Sequence, residues 1–167
     1  MRLFTTLSLA ALLVGCAIPV QNSPAPARRM AFPEAEYLVL PKTGTATVRG
    51  QAFLTTKGGD VKAAAGKRVL LNPVTSYSLE WYERSYLPSR RIEEADPKLE
   101  AYIRTQIADG NGRFAFKNVP TGEYFITTTI TWEVPTGYQG TVQVEGGLVA
   151  KRIKVNAGEE VEVVVTW

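Results

Sequence analysis

The sequence contains no histidine and only one cysteine, Cys16. Without histidine the chain cannot build a Ser–His–Asp triad, a Cys–His pair or a histidine-based zinc site. A single cysteine cannot form a disulfide within the chain, so stability has to come from a packed core. We therefore expect a protein that is not an enzyme and that has no metal ion or other cofactor.

Net charge and long apolar runs are also scarce. The chain carries 19 basic and 16 acidic residues, and because the basic residues form no local cluster, we expect no nucleic-acid partner. After residue 15, no segment approaches the roughly 18 consecutive apolar residues of a transmembrane helix. The remainder is long enough for one folded domain.

The first 16 residues follow the pattern of a bacterial export signal. Arg2 supplies the positive charge, residues 3–14 form the apolar stretch, and Gly15 is the small residue at the cleavage point. The last four residues, Leu13-Val14-Gly15-Cys16, resemble the lipobox of bacterial lipoproteins, whose cysteine sulfur receives a diacylglycerol before cleavage. An ordinary signal peptide with an incidental cysteine is the alternative.

The lipobox resemblance has consequences for location. It implies that residues 1–15 are a removed signal peptide and that acylated Cys16, carrying palmitate-like chains, holds the protein on a lipid membrane. In Gram-negative lipoproteins, a residue other than aspartate after the cysteine is compatible with outer-membrane sorting, and Ala17 meets that condition. We expect a lipid-anchored protein of the cell outer membrane, facing the periplasm or exposed at the surface. The inner membrane stays open as an alternative.

Residues 16–44 are predicted to link this anchor to the folded domain. Prolines among small polar residues disfavour both helix and strand, so residues 17–35 are interpreted as a tether. The apolar stretch Tyr37–Leu40 either docks on the domain or forms its first strand. The prolines of this segment are Pro19, Pro24, Pro26, Pro33 and Pro41.

From residue 45 to residue 167, apolar and polar side chains alternate, which is the pattern of half-buried β-strands. Seven or so short strands separated by turns predict an all-β fold, an antiparallel β-sandwich of two sheets. The predicted strands lie near residues 46–54, 67–71, 103–107, 113–117, 123–133, 148–155 and 160–167.

An insertion at residues 83–104 interrupts the strand pattern. Asp96-Pro97 combines a good N-cap with a proline suited to the first helical position. Leu99, Tyr102 and Ile103 follow with helical spacing. A short helix of about two turns is therefore predicted inside the insertion.

The stretch from Ile107 to Tyr124 carries a family resemblance. Asp109-Gly110-Asn111-Gly112 suits a tight hairpin, Phe114 and Phe116 follow on one face, and Pro120-Thr121-Gly122 turns the chain before Tyr124. This pattern resembles carboxypeptidase regulatory-like domains, which are similar to transthyretin (prealbumin) and to Cna-type B modules. The resemblance implies an Ig-like sandwich over residues 45–167 that serves as a structural or binding module.

Aromatic and hydroxyl side chains concentrate in residues 72–82, where the chain leaves a predicted strand. We predict a candidate binding surface there for sugar rings or for a protein partner. The alternative is that these aromatics cover the core. The residues of this candidate surface are Tyr77, Trp81, Tyr82, Trp132 and Tyr138.

Two weaker patterns, a row of threonines and a pair of glutamates, are not assigned a function. The threonines at 127, 128, 129 and 131 indicate an exposed threonine face, and threonine suits a solvent-facing strand. Glu80 and Glu133 could be imagined as a glycosidase carboxylate pair, but the sequence fixes no distance between them.

Three functions remain open from the sequence. The first is a non-catalytic, membrane-anchored envelope lipoprotein that acts as a structural or protein-binding module. The second is a lipoprotein that binds carbohydrate or cell wall. The third is a lipoprotein subunit of an envelope secretion assembly. In each case the partners are the lipid membrane, through Cys16, and an envelope protein or glycan.

Overall fold

The computed structural model describes residues 25–137 and 140–167. Within these ranges, eight strands form two four-stranded sheets that pack face to face, which confirms the predicted all-β sandwich. The strands are β1 Ala46–Thr55, β2 Val61–Ala63, β3 Arg68–Pro73, β4 Arg104–Ile107, β5 Arg113–Val119, β6 Gly122–Pro135, β7 Val142–Val155 and β8 Glu160–Val165.

The first sheet is organised around β1. This strand pairs antiparallel with β2 and β5 and parallel with β8. The second sheet has the order β4-β3-β6-β7 and is antiparallel throughout. The parallel β1–β8 pair departs from the antiparallel pattern that was predicted for the whole sandwich. The short strand β2 was not predicted, because its three residues show no alternation.

The core lies between the two sheets and is built by alternate residues of each strand. In β5, Phe114 and Phe116 point inward as predicted, and their rings pack edge to face with centroids 5.9 Å apart. Tyr124 at the start of β6 returns to the same core, and its hydroxyl donates to the Pro120 carbonyl at 2.9 Å. The Pro120-Thr121-Gly122 turn therefore returns Tyr124 to the core, as the sequence predicted.

The chain makes a long excursion between β3 and β4. It contains helix α2, Ser76–Trp81, a π-helical segment at Tyr82–Tyr86, and a 3₁₀ helix at Pro97–Tyr102. The 3₁₀ helix stands where a two-turn helix was predicted, and the Asp96 side chain accepts from Lys98 N as its cap. None of the helices in the described ranges is long and apolar enough to cross a membrane.

The described part of the predicted tether, residues 25–44, lies on the domain instead of extending from it. Ala27 forms a β-bridge with Ile92, and a short helix α1, Glu34–Leu38, follows. Tyr37 in this helix is only 1% exposed. The free energy gained by burying such an aromatic side chain is enough to dock this segment, although its prolines disfavour regular secondary structure. Cys16 lies outside the described residues.

Gly50 of β1 allows the two neighbouring strands to close on the core. A Cβ atom at this position would lie 2.7 Å from Cζ of Phe114 and closer still to the carbonyl oxygen of Val163. Because both neighbours belong to the packed first sheet, neither can move away at low cost.

We expect Gly50→Ala to lower the free energy of unfolding by about 1–3 kcal/mol through overpacking. Gly58→Ala is the matched control, since its nearest neighbouring atom would be 3.8 Å away. Urea unfolding of the two variants measures the difference. Equal stability of Gly50→Ala and the wild type would contradict this account of β1.

Candidate functional site

Tyr77 is part of a second, smaller aromatic core and not of an exposed surface. It is 2% exposed and packs edge to face with Phe32, with centroids 5.4 Å apart. The Tyr77 hydroxyl accepts a hydrogen bond from the backbone N–H of Asp96 at 2.8 Å, and the guanidinium of Arg29 lies 3.8 Å above its ring. Tyr77 therefore fixes the excursion and the N-terminal segment to each other.

Trp81 and Tyr82 lie on the outer face of the second sheet. The Tyr82 ring stacks on Phe125 of β6 at 4.6 Å, and Trp81 meets the same ring edge to face at 6.0 Å. Both tryptophan and tyrosine are half-buried by these contacts. The hydroxyl of Tyr86 accepts from Ala150 N at 2.9 Å, which satisfies one free N–H of the edge strand β7.

Trp132 lies on the opposite face of β6. It packs against the main core, whereas Phe125 faces outward beneath Tyr82. Since successive side chains of a strand alternate between faces, Trp132 cannot join Trp81 and Tyr82 in one aromatic platform. Tyr138 lies outside the described residues. The structure thus divides the predicted surface between two faces.

Glu80 is held by contacts that stabilise the excursion. Its side chain is 10% exposed, and its carboxylate accepts from Met30 N at 3.1 Å and from Arg84 Nη1 at 2.9 Å. Arg29 Nε lies 3.9 Å away. Glu133, by contrast, is exposed on the far half of β6. The carboxylate of Glu80 is therefore used for structure.

A groove of about 960 Å³ lies between the excursion and the outer face of the second sheet. Its floor is the strand surface, where Thr127 is opposite both Leu70 and Ala150, and Thr129 is opposite Leu148. The excursion forms the facing wall. The polar residues that line the groove are Lys67, Arg68, Glu94, Asp96, Glu100, Thr105, Thr127, Thr128, Thr129 and Thr131.

The groove presents hydroxyl groups in a row. Thr127, Thr129 and Thr131 share one face of β6, and two residues along a strand span about 6.8 Å. Thr129 and Thr131 are exposed, while Thr127 is nearly buried at 7%. On the wall, Glu94 and Glu100 are exposed carboxylates. The arrangement can donate and accept several hydrogen bonds along an extended, uncharged polar ligand.

A second cavity, of about 560 Å³, lies at one end of the sandwich beside α1. Its Arg104 donates to the carbonyl oxygens of Lys117 and Lys42 at 3.0 and 2.7 Å. Burial raises the pKa of Tyr124, whose hydroxyl already binds Pro120. Because these polar groups are engaged in structural contacts, the threonine groove is the better candidate site.

The chain is similar to a solved structure but matches no family model. No family model matches the chain, and no curated protein matches it. Among solved structures, the chain is similar to a Pseudomonas aeruginosa protein described as a "putative carbohydrate binding protein". The two are 29% identical, with a TM-score of 0.72, over 83% of this chain and 99% of that one. The two chains therefore share the fold over the matched residues.

Sequence reasoning did not predict the groove, although it placed the threonines of the groove floor on one strand face. The period-two threonines of β6 were recognised as one strand face. Glu94 and Glu100 reach the same site only because the excursion folds back over the sheet. That return depends on contacts between distant residues, such as Tyr77 with Asp96, which leave no local pattern.

The N-terminal segment is joined to the base of α2 by a carboxylate. Glu36 accepts from Ser76 Oγ at 2.6 Å and from Ser76 N at 2.9 Å, and these hydrogen bonds lower the pKa of Glu36. A carboxyl whose folded pKa is lowered stabilises the fold fully above its unfolded pKa of about 4.3, and this stabilisation is lost as the pH falls through the folded pKa.

We expect amide exchange of residues 34–38, corrected for the intrinsic rate, to accelerate below about pH 4 relative to pH 7. Glu36→Gln should exchange faster already at pH 7 and lose most of this pH dependence. Glu83→Gln, an exposed position of the excursion, is the control. Identical pH profiles for the wild type and Glu36→Gln would refute the role of this carboxylate.

Proposed function

We propose that the protein is a carbohydrate-binding lipoprotein of the bacterial envelope and that the threonine groove is its glycan site. The observation that carries the proposal is the likeness to the Pseudomonas aeruginosa protein along 99% of that chain. It favours carbohydrate binding over a purely structural role or membership of a secretion assembly.

The size and lining of the groove support a glycan ligand. Ligand pockets commonly have volumes of roughly 300–1,000 Å³, so a groove of about 960 Å³ has room for more than one sugar unit. Threonine hydroxyls and the Glu94 and Glu100 carboxylates match the donors and acceptors of sugar hydroxyls. Leu70 and Leu148 offer apolar surface to the C–H faces of a sugar ring.

Attachment through Cys16 would hold this groove near the membrane. Nine residue steps separate Cys16 from Ala25, where the described structure begins. At about 3.3–3.6 Å per residue, the chain between them spans at most about 30 Å. The docked residues 25–44 add nothing to this reach. The proposal therefore places the glycan site close to the lipid surface, where it would meet envelope polysaccharide.

Cys16→Ser should move the protein out of the acylated membrane pool, since only a thiol accepts the diacylglycerol. Mass spectrometry of the native protein is expected to find a lipid-modified N-terminal cysteine. A Cys16→Ser, Ser23→Cys double variant keeps one cysteine but places it outside the lipobox, and it should not regain lipid. An unmodified cysteine in native material would rule out the anchor and leave the groove proposal intact.

Replacing Thr129 and Thr131 together by valine should weaken glycan binding about tenfold, because each lost hydrogen bond is worth about 0.5–1.5 kcal/mol. Thr55→Val, at an exposed threonine of β1 on the other sheet, is the matched control. A glycan array selects the ligand, and calorimetry measures its affinity for the three proteins.

Two results would count against the groove. Unchanged affinity in the double valine variant would move the site elsewhere. The absence of binding to any glycan, together with a stoichiometric protein partner in cross-linked envelopes, would instead favour the protein-binding role.

A further inference from the structure

Two tryptophans lie against adjacent glycines of the edge strand β7. Gly146 has a φ of +94°, and a Cβ atom there would come within 2.8 Å of Cζ3 of Trp132. A Cβ atom on Gly147 would lie 3.6 Å from Cζ3 of Trp167. Because glycine has no side chain, the backbone at these two positions is bare and is bordered by two indole rings, and we call this arrangement the notch.

Trp167 is unusually open for a residue of its type. Its side chain is 64% exposed, and it makes no ring contact or hydrogen bond within the described residues. Trp132 is half-buried, with one side of its ring on the main core. The exposed indole of Trp167 offers a flat apolar surface on which a ring-shaped ligand can stack.

Uncommitted polar groups stand beside the rings. Glu145 is directly opposite Trp132 in the β6–β7 ladder, so the two side chains share a face. Gln143 follows two residues away on that face, opposite Val134. Both polar side chains are exposed, and within the described residues neither forms a hydrogen bond.

From this arrangement we infer that Trp167, Trp132, Glu145 and Gln143 form a second sugar subsite, which stacks a neutral pyranose ring. The inference rests on the proposed carbohydrate binding and adds a site on the opposite face of the β6–β7 ribbon from the threonine groove. The indole of Trp167 packs on the C–H face of the sugar. Glu145 and Gln143 accept and donate hydrogen bonds at its rim.

The charge at the notch determines which sugars fit. Glu145 is the one ionisable side chain among the four residues, and an acidic sugar would bring a second negative charge beside it. Like charges at close range are unfavourable. The subsite therefore selects uncharged hexoses and N-acetylhexosamines over uronic acids.

The position on β7 explains how one glycan could use both sites. β7 is the outer strand of its sheet, and β3 pairs with β6 no further than Thr128. Among the residues that the structure describes, the ribbon beyond that point has no third strand, and the Tyr86 hydroxyl contacts its edge at Ala150. A glycan that crosses this edge can contact the threonines on one face of the ribbon and the notch on the other.

The test measures binding of four soluble probes by calorimetry: cellotetraose, N-acetylchitotetraose, mannotetraose and tetragalacturonate. For at least one neutral probe, Trp167→Ala should weaken binding at least fivefold, whereas Trp167→Phe should stay within twofold of the wild type. Glu145→Gln should improve binding of tetragalacturonate. Acrylamide quenching of the Trp167 contribution, taken as wild type minus Trp167→Ala, should fall on addition of the bound probe.

Leu38→Ala, which removes an apolar side chain that is 68% exposed elsewhere, is the matched control and should bind like the wild type. Unchanged affinity of Trp167→Ala, or an equal loss in Leu38→Ala, would overturn the subsite. If the Thr129→Val, Thr131→Val double variant weakens binding in the same assay, the proposal for the threonine groove is supported even when the subsite is overturned. Failure of all four probes and of the glycan array to bind the wild type would overturn both proposals.

Discussion

The 14-residue strand β6 is the element on which the rest of the structure depends, because it serves two interfaces at once. Its inward side chains, Tyr124, Ile126 and Ile130, belong to the core between the sheets. Its outward side chains include Phe125, which packs under Tyr82 of the excursion, and Thr127, which lines the groove. Strand alternation therefore fixes the groove floor rigidly relative to the core, and a shift of one residue would exchange the two faces.

The groove wall is held by burial in the smaller aromatic core and by a few directed hydrogen bonds. The hydroxyls of Tyr77 and Tyr86 each accept from a backbone N–H of another segment, at Asp96 and at Ala150. Unpaired, those N–H groups would be costly where they are shielded from water, so the hydroxyls set the position of the excursion. The N-terminal segment takes part as well, since Arg29 lies on the ring of Tyr77. The N-terminal segment is thus coupled mechanically to the wall.

Local patterns in the sequence predicted the elements with regular alternation and the capped turn at Asp96-Pro97. They missed α2, whose six residues are mostly serines and aromatics with modest helix propensity, and whose Thr75 cap pairs with Ser78 instead of Glu or Gln. For Tyr37–Leu40 they left docking and a first strand both open, and they did not predict docking of the residues before it, because the partners that bury Tyr37 are far away in sequence. The division of the candidate surface, however, could have been predicted. Trp132 and Tyr124 are an even number of positions apart in β6, so their side chains lie on the same face of the strand.

The features of β7 that are unusual for a β-strand lie at Gly146 and Gly147. Adjacent glycines weaken a strand, and a positive φ at Gly146 interrupts an otherwise continuous ladder. The exposed ring of Trp167 next to them forgoes burial that its size would reward. The close approach of the Ile130 carbonyl oxygen, and of Trp132 after it, explains Gly146. It explains neither Gly147 nor Trp167, since a side chain on Gly147 would make only ordinary contact. The proposed sugar ring on the open face of Trp167 accounts for both, because it needs the bare backbone and the open aromatic face together.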